Sequence, residues 1–216
     1  MNAPIVTVRG EATREVDPDL ATLTATVHAS GPSSEAVNGR LARGSATLAE
    51  VAARFDDALE RSGGSRMTVH PVFDRRHATK ITGYRGSFSN QLVVRDFAVL
   101  SDLVLALGAV SDAQVFGPWW SLRPENEAYR EVRIEAIADA RRRAEDYASA
   151  FGARLDGLVE VSDLTESFAP PMARAFAIGA MAKDAGEPAF DFQPAVQTVS
   201  GQVTVRFTIT SPLLGG

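Results

Sequence analysis

In the alanine-rich stretch AIADARRRAEDYASAFG, residues 136–152, apolar residues recur at three- and four-residue steps. This spacing predicts a helix with one apolar side made mostly of small side chains. The apolar stripe predicted for it consists of Ile137, Ala140, Ala144, Tyr147, Ala148 and Phe151. Small side chains let a helix lie close to the surface beneath it, and Tyr147 and Phe151 are expected to act as larger anchors. The pattern therefore predicts a closely packed helix that begins at Pro124 and is closed by Gly152.

The three consecutive arginines of this stretch suggest a nucleic-acid contact, but each has an acidic residue four positions away. The predicted pairs are Asp139–Arg143, Arg141–Glu145 and Arg142–Asp146. The net charge of −5 also repels a polyanion on average, unless charge is strongly segregated on the surface. We therefore predict a solvated helix face and no nucleic-acid partner.

Strand-like alternation and helical spacing predict the remaining elements. The strands are at residues 5–15, 20–27, 67–73, 81–94, 114–122, 155–164 and 196–209, with one helix from Ser33 or Ser34 to the SGG stretch at 62–64 and another at 97–110. The helix pattern includes Phe55 and Leu59, and Asp96 is a candidate N-cap. The turn VDPDL around Pro18 indicates a long hairpin or a bent strand pair.

This order of elements predicts an α+β fold. Residues 19–123 read strand, helix, strand, strand, helix, strand, which is the split βαβ (βαββαβ-like) sheet with helices on one face. Residues 1–18 with 124–216 would form a second α/β layer, which contains the additional helix and two long C-terminal strands. The segment 165–195 shows no strand pattern, and so long a loop indicates function, disorder or contact with another chain.

The adjacent tryptophans in the strand at 114–122 indicate an exposed aromatic surface that another segment or subunit would cover. Consecutive strand residues face opposite sides, so one ring can enter the core while the other needs a partner, and Pro118 indicates an edge strand or a bulge. The interface candidates, with four apolar residues of the long loop, are Trp119, Trp120, Met172, Phe176, Ile178 and Met181. We predict a symmetric homo-oligomer, with a binding module for a small ligand or partner peptide as the alternative.

The polar residues offer no convincing reaction centre. The chain has no cysteine, no G-x-S-x-G elbow and no glycine-rich phosphate loop before a helix. His70 and His77 bracket Asp74 and could form a metal-binding trio or an acid–base pair in a folded-back hairpin, but ordinary solvated imidazoles explain both histidines better, and His28 stands alone at a strand end. Asp17 and Asp19, on either side of Pro18, are explained by hydrogen bonds to the backbone of a turn, without a bound cation. We predict no catalytic, cofactor-binding or metal-ligating residues, hence no cofactor and no enzyme.

Three stretches of the chain together resemble the SIMPL-domain family of bacterial proteins. They are GEATREVDPDLATLTATV (10–27), GYRGSFSNQLVVRD (83–96) and AIADARRRAEDYASAFGARL (136–155). The resemblance extends from Gly10 to Phe207 and implies one SIMPL-like domain over residues 1–216. Because the family, long of unknown function, includes periplasmic proteins of oxidative-stress defence and an envelope immunogen, it also implies a role in envelope or stress physiology.

The location of the protein is predicted from two features of the sequence. Residues 1–10 lack the basic and apolar segments of an export signal, and no apolar run approaches the roughly 20 residues that span a bilayer. We expect a soluble protein with no transmembrane segment. It would be cytoplasmic as written, or periplasmic or extracellular if an export signal has been removed.

Overall fold

Pro18 separates two strands that pair with different partners. In the computed structural model, which describes residues 3–74, 79–163 and 190–212, β1 (Ile5–Val16) pairs with the last strand of the chain, whereas β2 (Leu20–Gly31) joins a second sheet. The hairpin alternative is therefore wrong, whereas the interruption between the two strands lies at Pro18 as the turn indicated. Proline lacks an amide hydrogen and fixes its own φ, so the chain leaves one sheet there and enters the other, where the Asp19 amide donates to the Ser121 carbonyl at 3.0 Å.

The chain forms two compact units. We call them the terminal unit, with described residues 3–17, 122–163 and 196–212, and the central unit, with described residues 18–74, 79–121 and 190–195. The central unit contains β2, α1 (Ser34–Ala53), β3 (Leu59–Phe73), β4 (Ile81–Val94), α2 (Leu100–Gly108) and β5 (Ala113–Ser121). The terminal unit contains β1, α3 (Ala128–Ala150), β6 (Leu155–Ser162) and β7 (Gln197–Ile209).

The central sheet has the strand order β3-β4-β2-β5, and all neighbouring strands are antiparallel. With two intervening helices this is the split βαβ arrangement, so the predicted α+β fold is confirmed. The core lies on the helix side of the sheet, where alternate residues of β2 pack against leucines of α1 and α2. Its fully buried members include Leu23, Leu41, Leu92, Leu103 and Leu107.

Gly63 and Gly64 of the SGG stretch mark a strand irregularity and not a helix end. Helix α1 ends at Ala53, a short 3-10 helix covers Asp56–Ala58, and Leu59 is the first, buried residue of β3. Gly64 has a φ of 68°, and the β3–β4 register shifts between Gly63 and Arg66. The prediction that the helix continues to these glycines is wrong because a β-bulge also needs a residue that tolerates positive φ.

Asp96 caps the chain before α2, as predicted. Its side chain accepts a hydrogen bond from the Ala98 amide at 3.0 Å, at the start of a short 3-10 helix over Phe97–Val99. The α-helix proper begins only at Leu100, so the predicted single helix from residue 97 divides into two consecutive types.

In the terminal unit, α3 lies on one face of a sheet with the order β1-β7-β6. The helix begins at Ala128 and not at the predicted Pro124, because the side chain of Asn126 accepts from the Ala128 amide at 2.9 Å. Gly152 has a φ of 66° and closes the helix in the predicted left-handed conformation.

The buried face of α3 repeats strictly every fourth residue. It consists of Ala128, Val132, Ala136, Ala140, Ala144 and Ala148. Four residues rotate a helix by about 40° beyond a full turn, so this line winds around α3 as the helix crosses the strands. Three residues of the predicted stripe, Ala140, Ala144 and Ala148, lie on this buried line. The other three, Ile137, Tyr147 and Phe151, are 47%, 57% and 52% exposed, so the predicted anchors Tyr147 and Phe151 are wrong.

Two glycines let the main chain of α3 rest directly on the sheet. A Cβ on Gly10 of β1 would lie 2.0 Å from the Ala136 carbonyl oxygen, and one on Gly201 of β7 would lie 2.8 Å from the Val132 carbonyl oxygen. No side chain larger than hydrogen fits at either position. The close packing predicted from the alanine stripe is therefore matched by glycines on the facing strands.

Asp139 fastens the same helix to the edge of the sheet. Its buried carboxylate accepts a hydrogen bond from the Glu11 amide of β1 at 3.1 Å and pairs with the Arg143 guanidinium at 2.8 Å. The predicted Asp139–Arg143 and Arg141–Glu145 pairs are both present. Arg142 pairs with Asp139 and not with the predicted Asp146.

Gly10→Ala is expected to destabilise the protein by about 3 kcal/mol, because the added methyl group must displace main-chain atoms of α3. The matched control is Gly108→Ala, whose Cβ meets nothing within 4 Å and should change stability by less than about 1 kcal/mol. Urea denaturation followed by circular dichroism measures both variants. Equal stability of the two variants would contradict the proposed close contact.

Candidate interaction surfaces

The two tryptophans of β5 have different environments. Trp120 packs on the central core and makes an edge-to-face contact with Phe97, with ring centroids 4.9 Å apart. Trp119 faces the opposite side of the sheet and is 51% exposed, near Phe116 at 49%. β5 is an edge strand with a register shift opposite Thr22–Thr24, as Pro118 indicated. Of the two rings, only Trp119 remains a candidate for contact with a partner.

The other predicted interface residues, Met172, Phe176, Ile178 and Met181, lie outside the described residues. The last residues of the predicted loop, 190–195, are described. The Phe190 amide donates to the Ser101 hydroxyl of α2 at 2.9 Å, and Phe192 packs against the central core. This end of the segment therefore contacts the central unit of its own chain, although Phe190 remains 53% exposed.

Truncating the two tryptophans separately should distinguish their roles. Trp120→Ala is expected to cost about 3 kcal/mol because it removes an aromatic ring from the core, whereas Trp119→Ala should change stability by less than about 0.5 kcal/mol. Urea denaturation of both variants gives the comparison. A large loss for Trp119→Ala would mean that its ring is part of the fold.

The helix-free side of the central sheet, which we call the open face, is polar and basic. The strand registers place its residues in rows across β3, β4, β2 and β5. These rows are Arg61–Val93–Thr22–Trp119, Gly63–Gln91–Thr24–Phe116, Arg66–Ser89–Thr26–Gln114, Thr68–Ser87–His28 and His70–Arg85–Ser30. The Thr68 and Ser87 hydroxyl groups are hydrogen-bonded at 2.9 Å. No position in these rows is an aspartate or a glutamate.

A groove in the terminal unit, which we call the edge groove, runs between α3 and β6. Its volume is about 790 Å³, and it is lined by Arg141, Glu145 and Ser149 of α3, by residues 152–158, and by Phe207. Three apolar residues of β6 are exposed: Leu158 at 62%, Val159 at 47% and Val161 at 49%. Among the described strands, β6 has a single neighbour, β7.

A smaller pocket of about 310 Å³ lies at the end of β2, and we call it the basic pocket. Its polar lining comprises His28, Arg40, Arg43, Thr47, Ser111 and Asp112. The main chain fixes part of this lining. The His28 amide donates to the Asp112 carbonyl at 3.0 Å, Asp112 has a φ of 59°, and the Arg40 guanidinium donates to the Ser30 carbonyl.

The histidine–aspartate trio considered from the sequence is described only in part. His70 is an exposed residue of β3 that pairs with Arg85, and the Asp74 amide donates to the Lys80 carbonyl at 2.8 Å, while His77 lies outside the described residues. Within residues 3–74, 79–163 and 190–212, no three histidine, aspartate or glutamate side chains are grouped as a metal site requires.

Sequence reasoning missed both the open face and the basic pocket. The arginines of the open face lie on two strands, and only the β3–β4 register brings them together. The alternating threonines at 22, 24 and 26 were the one available signal, because a strand with hydroxyl groups on one side and apolar residues on the other has a solvated face.

The family model of SIMPL, described as a protein of unknown function (DUF541), matches residues 6–207. The chain belongs to the SIMPL family. No curated protein matches it significantly. In the part of this SIMPL protein that the structure describes, no helix combines the length and apolar character needed to cross a membrane.

Two solved structures are similar to this SIMPL protein at low identity. One, from Burkholderia cenocepacia, is provisionally described as an amidohydrolase/peptidase. It is 15% identical with a TM-score of 0.27, and the match covers 64% of this chain but 36% of that one. The other, a hydrolase from Listeria innocua, is 11% identical with a TM-score of 0.24 over 92% of this chain and 91% of its own. Likeness at this level supports no activity for the SIMPL protein.

Proposed function

We propose that this SIMPL protein is not an enzyme and works as a symmetric homo-oligomer that associates through the edge groove. The observation that carries the proposal is the exposed apolar surface of β6, where Leu158 is 62% exposed. Exposed apolar side chains on an edge strand mark a contact site, because both the side chains and the main chain lack a covering element.

A second copy of β6 is the occupant that fits this surface best. Two β6 strands pairing antiparallel across a two-fold axis would join two three-stranded sheets into one sheet of six strands. Leu158 pairs with Phe207, and Val161 with Val205, so both face the side of the sheet on which α3 packs. The same residues of the second copy would cover them from across the axis.

The absence of catalysis is part of the proposal and rests on the arrangement of polar groups. Among the described residues, His28 and His70 are both exposed, and neither belongs to a group of three side chains that could hold a metal ion. For the physiological setting we propose envelope or oxidative-stress defence, as the SIMPL resemblance implies.

Replacing both Leu158 and Val161 by lysine is expected to convert the oligomer into a 23.0 kDa monomer, because like charges would meet across the two-fold axis. The matched control replaces Ile134 and Ile137, which are similarly exposed on α3, by lysine and should leave the assembly intact. Size-exclusion chromatography with light scattering measures both masses. A wild-type protein that is monomeric at high micromolar concentration would refute self-association.

The second candidate function is a binding module for a small anion, and the basic pocket favours it. Arg40 and Arg43 lie on the same helix face, three residues apart, and both line a volume that suits a ligand bearing one phosphate or carboxylate group. Asp112 is the single carboxylate of the lining, so the arginines outnumber it.

Inorganic phosphate is the probe for this second candidate. In a two-dimensional NMR titration, the signals of His28 and its neighbours should shift and saturate, and Arg43→Ser should abolish the shifts by removing the charge. Arg133→Ser, at an exposed arginine of α3 outside the pocket, is the control. Shifts that fail to saturate, or that survive Arg43→Ser, would contradict a specific site.

A further inference from the structure

The open face concentrates positive charge on a protein of net charge −5. Arg61, Arg66 and Arg85 lie on it with His28 and His70, and no residue of its rows is acidic. Among residues 3–74, 79–163 and 190–212, none of the three guanidinium groups contacts a carboxylate within ion-pair distance. Positive charge is therefore segregated on this face even though the net charge of the protein is negative. Cations that are not paired with carboxylates can contact the phosphates of a nucleic acid.

The three arginines are evenly spaced along the sheet. Arg61 pairs with Val93 and Arg66 with Ser89, and Arg85 itself lies four residues beyond Ser89 on β4. Four residues of a strand span about 13 Å, so the cationic positions follow one another over about 26 Å. Between them lie hydroxyl and amide side chains of Thr68, Ser87, Ser89 and Gln91, which donate hydrogen bonds without adding charge.

The other side of the open face provides flat apolar rings. Trp119 is in the same row as Arg61, three strands away, and Phe116 is in the next row, close to Thr24 of β2. Neighbouring strands are about 4.8 Å apart, so Trp119 lies roughly 14 Å across the sheet from Arg61. Exposed rings that share an open antiparallel sheet face with cationic groups are the combination that holds unpaired bases and their phosphates.

We propose that the open face binds single-stranded nucleic acid. The arginines contact phosphates, Trp119 and Phe116 stack on bases, and the hydroxyl groups of the central strands contact the sugar edges between them. The proposal is independent of the edge groove, which lies in the other unit.

Other occupants satisfy these residues less completely. A second copy would bring three unpaired arginines against three more, and this repulsion disfavours self-association through the open face. A neutral glycan could stack on Trp119 but would leave the guanidinium groups without anions. A sulfated glycan could pair with the arginines, and it is therefore the competitor that the experiment includes.

The test is fluorescence anisotropy with labelled single-stranded RNA and DNA of about 12 nucleotides of mixed sequence. We expect binding that weakens about 20-fold between about 50 and about 200 mM salt, as three phosphate contacts predict. The triple substitution of Arg61, Arg66 and Arg85 by serine should remove most of this salt dependence together with the affinity. Trp119→Ala should weaken binding about tenfold and leave the salt dependence unchanged.

The matched control replaces three exposed arginines of the terminal unit, Arg9, Arg130 and Arg133, by serine and should bind as the wild type does. Circular dichroism verifies the fold of each variant. The proposal is overturned if neither RNA nor DNA binds at low salt, or if the two triple variants lose affinity equally. Tight binding of a sulfated oligosaccharide in place of both nucleic acids would also overturn it.

Discussion

The terminal unit depends on the close contact between the main chain of α3 and two glycines of the sheet, Gly10 and Gly201. Because both glycines lack a Cβ, the helix lies directly on β1 and β7, and its four-residue line of small side chains fills what space remains. A helix is about 10 Å wide and strands are about 4.8 Å apart, so one closely packed helix covers roughly two strands. The third strand, β6, receives little of this cover, and its apolar side chains remain exposed. The packing that stabilises the unit thereby creates the edge groove.

The close contact at these glycines also explains why the larger apolar residues at the end of α3 are exposed to solvent. A helix held by its main chain cannot move away from the sheet to admit a tyrosine or a phenylalanine, so Tyr147 and Phe151 have no room beneath it. The sequence allowed the helix and its close packing to be predicted, because alanine spacing is local information. Ala140, Ala144 and Ala148 were predicted on the buried face, but the exclusion of the larger apolar residues could not be predicted, because it depends on the glycines of β1 and β7, distant in the chain.

The central unit was more predictable from sequence because its signals are local. Alternation located β4 to the residue, and the order of elements gave the split βαβ sheet. The error in the length of α1 arose because glycine occurs in two kinds of structure. Glycine commonly ends a helix, but Gly63 and Gly64 lie at a bulge in β3. Of the candidate interface residues, Trp119 and Trp120 were correctly expected to face opposite sides, yet the choice of the buried ring required Phe97. The open face was unpredictable, since it exists only through strand register.

Charge shows the same contrast between local and distant information. The contiguous arginines of α3 attract notice in the sequence, yet Asp139 and Glu145 on the same helix pair with all three, because helix neighbours are three or four residues apart. The arginines of the open face are scattered in the sequence, and strand pairing brings them together in rows that contain no aspartate or glutamate. Carboxylates within one helical turn neutralise a cationic run, whereas a sheet collects charges that no local carboxylate can reach. In this α+β protein the inconspicuous arginines therefore have the greater capacity to bind an anion.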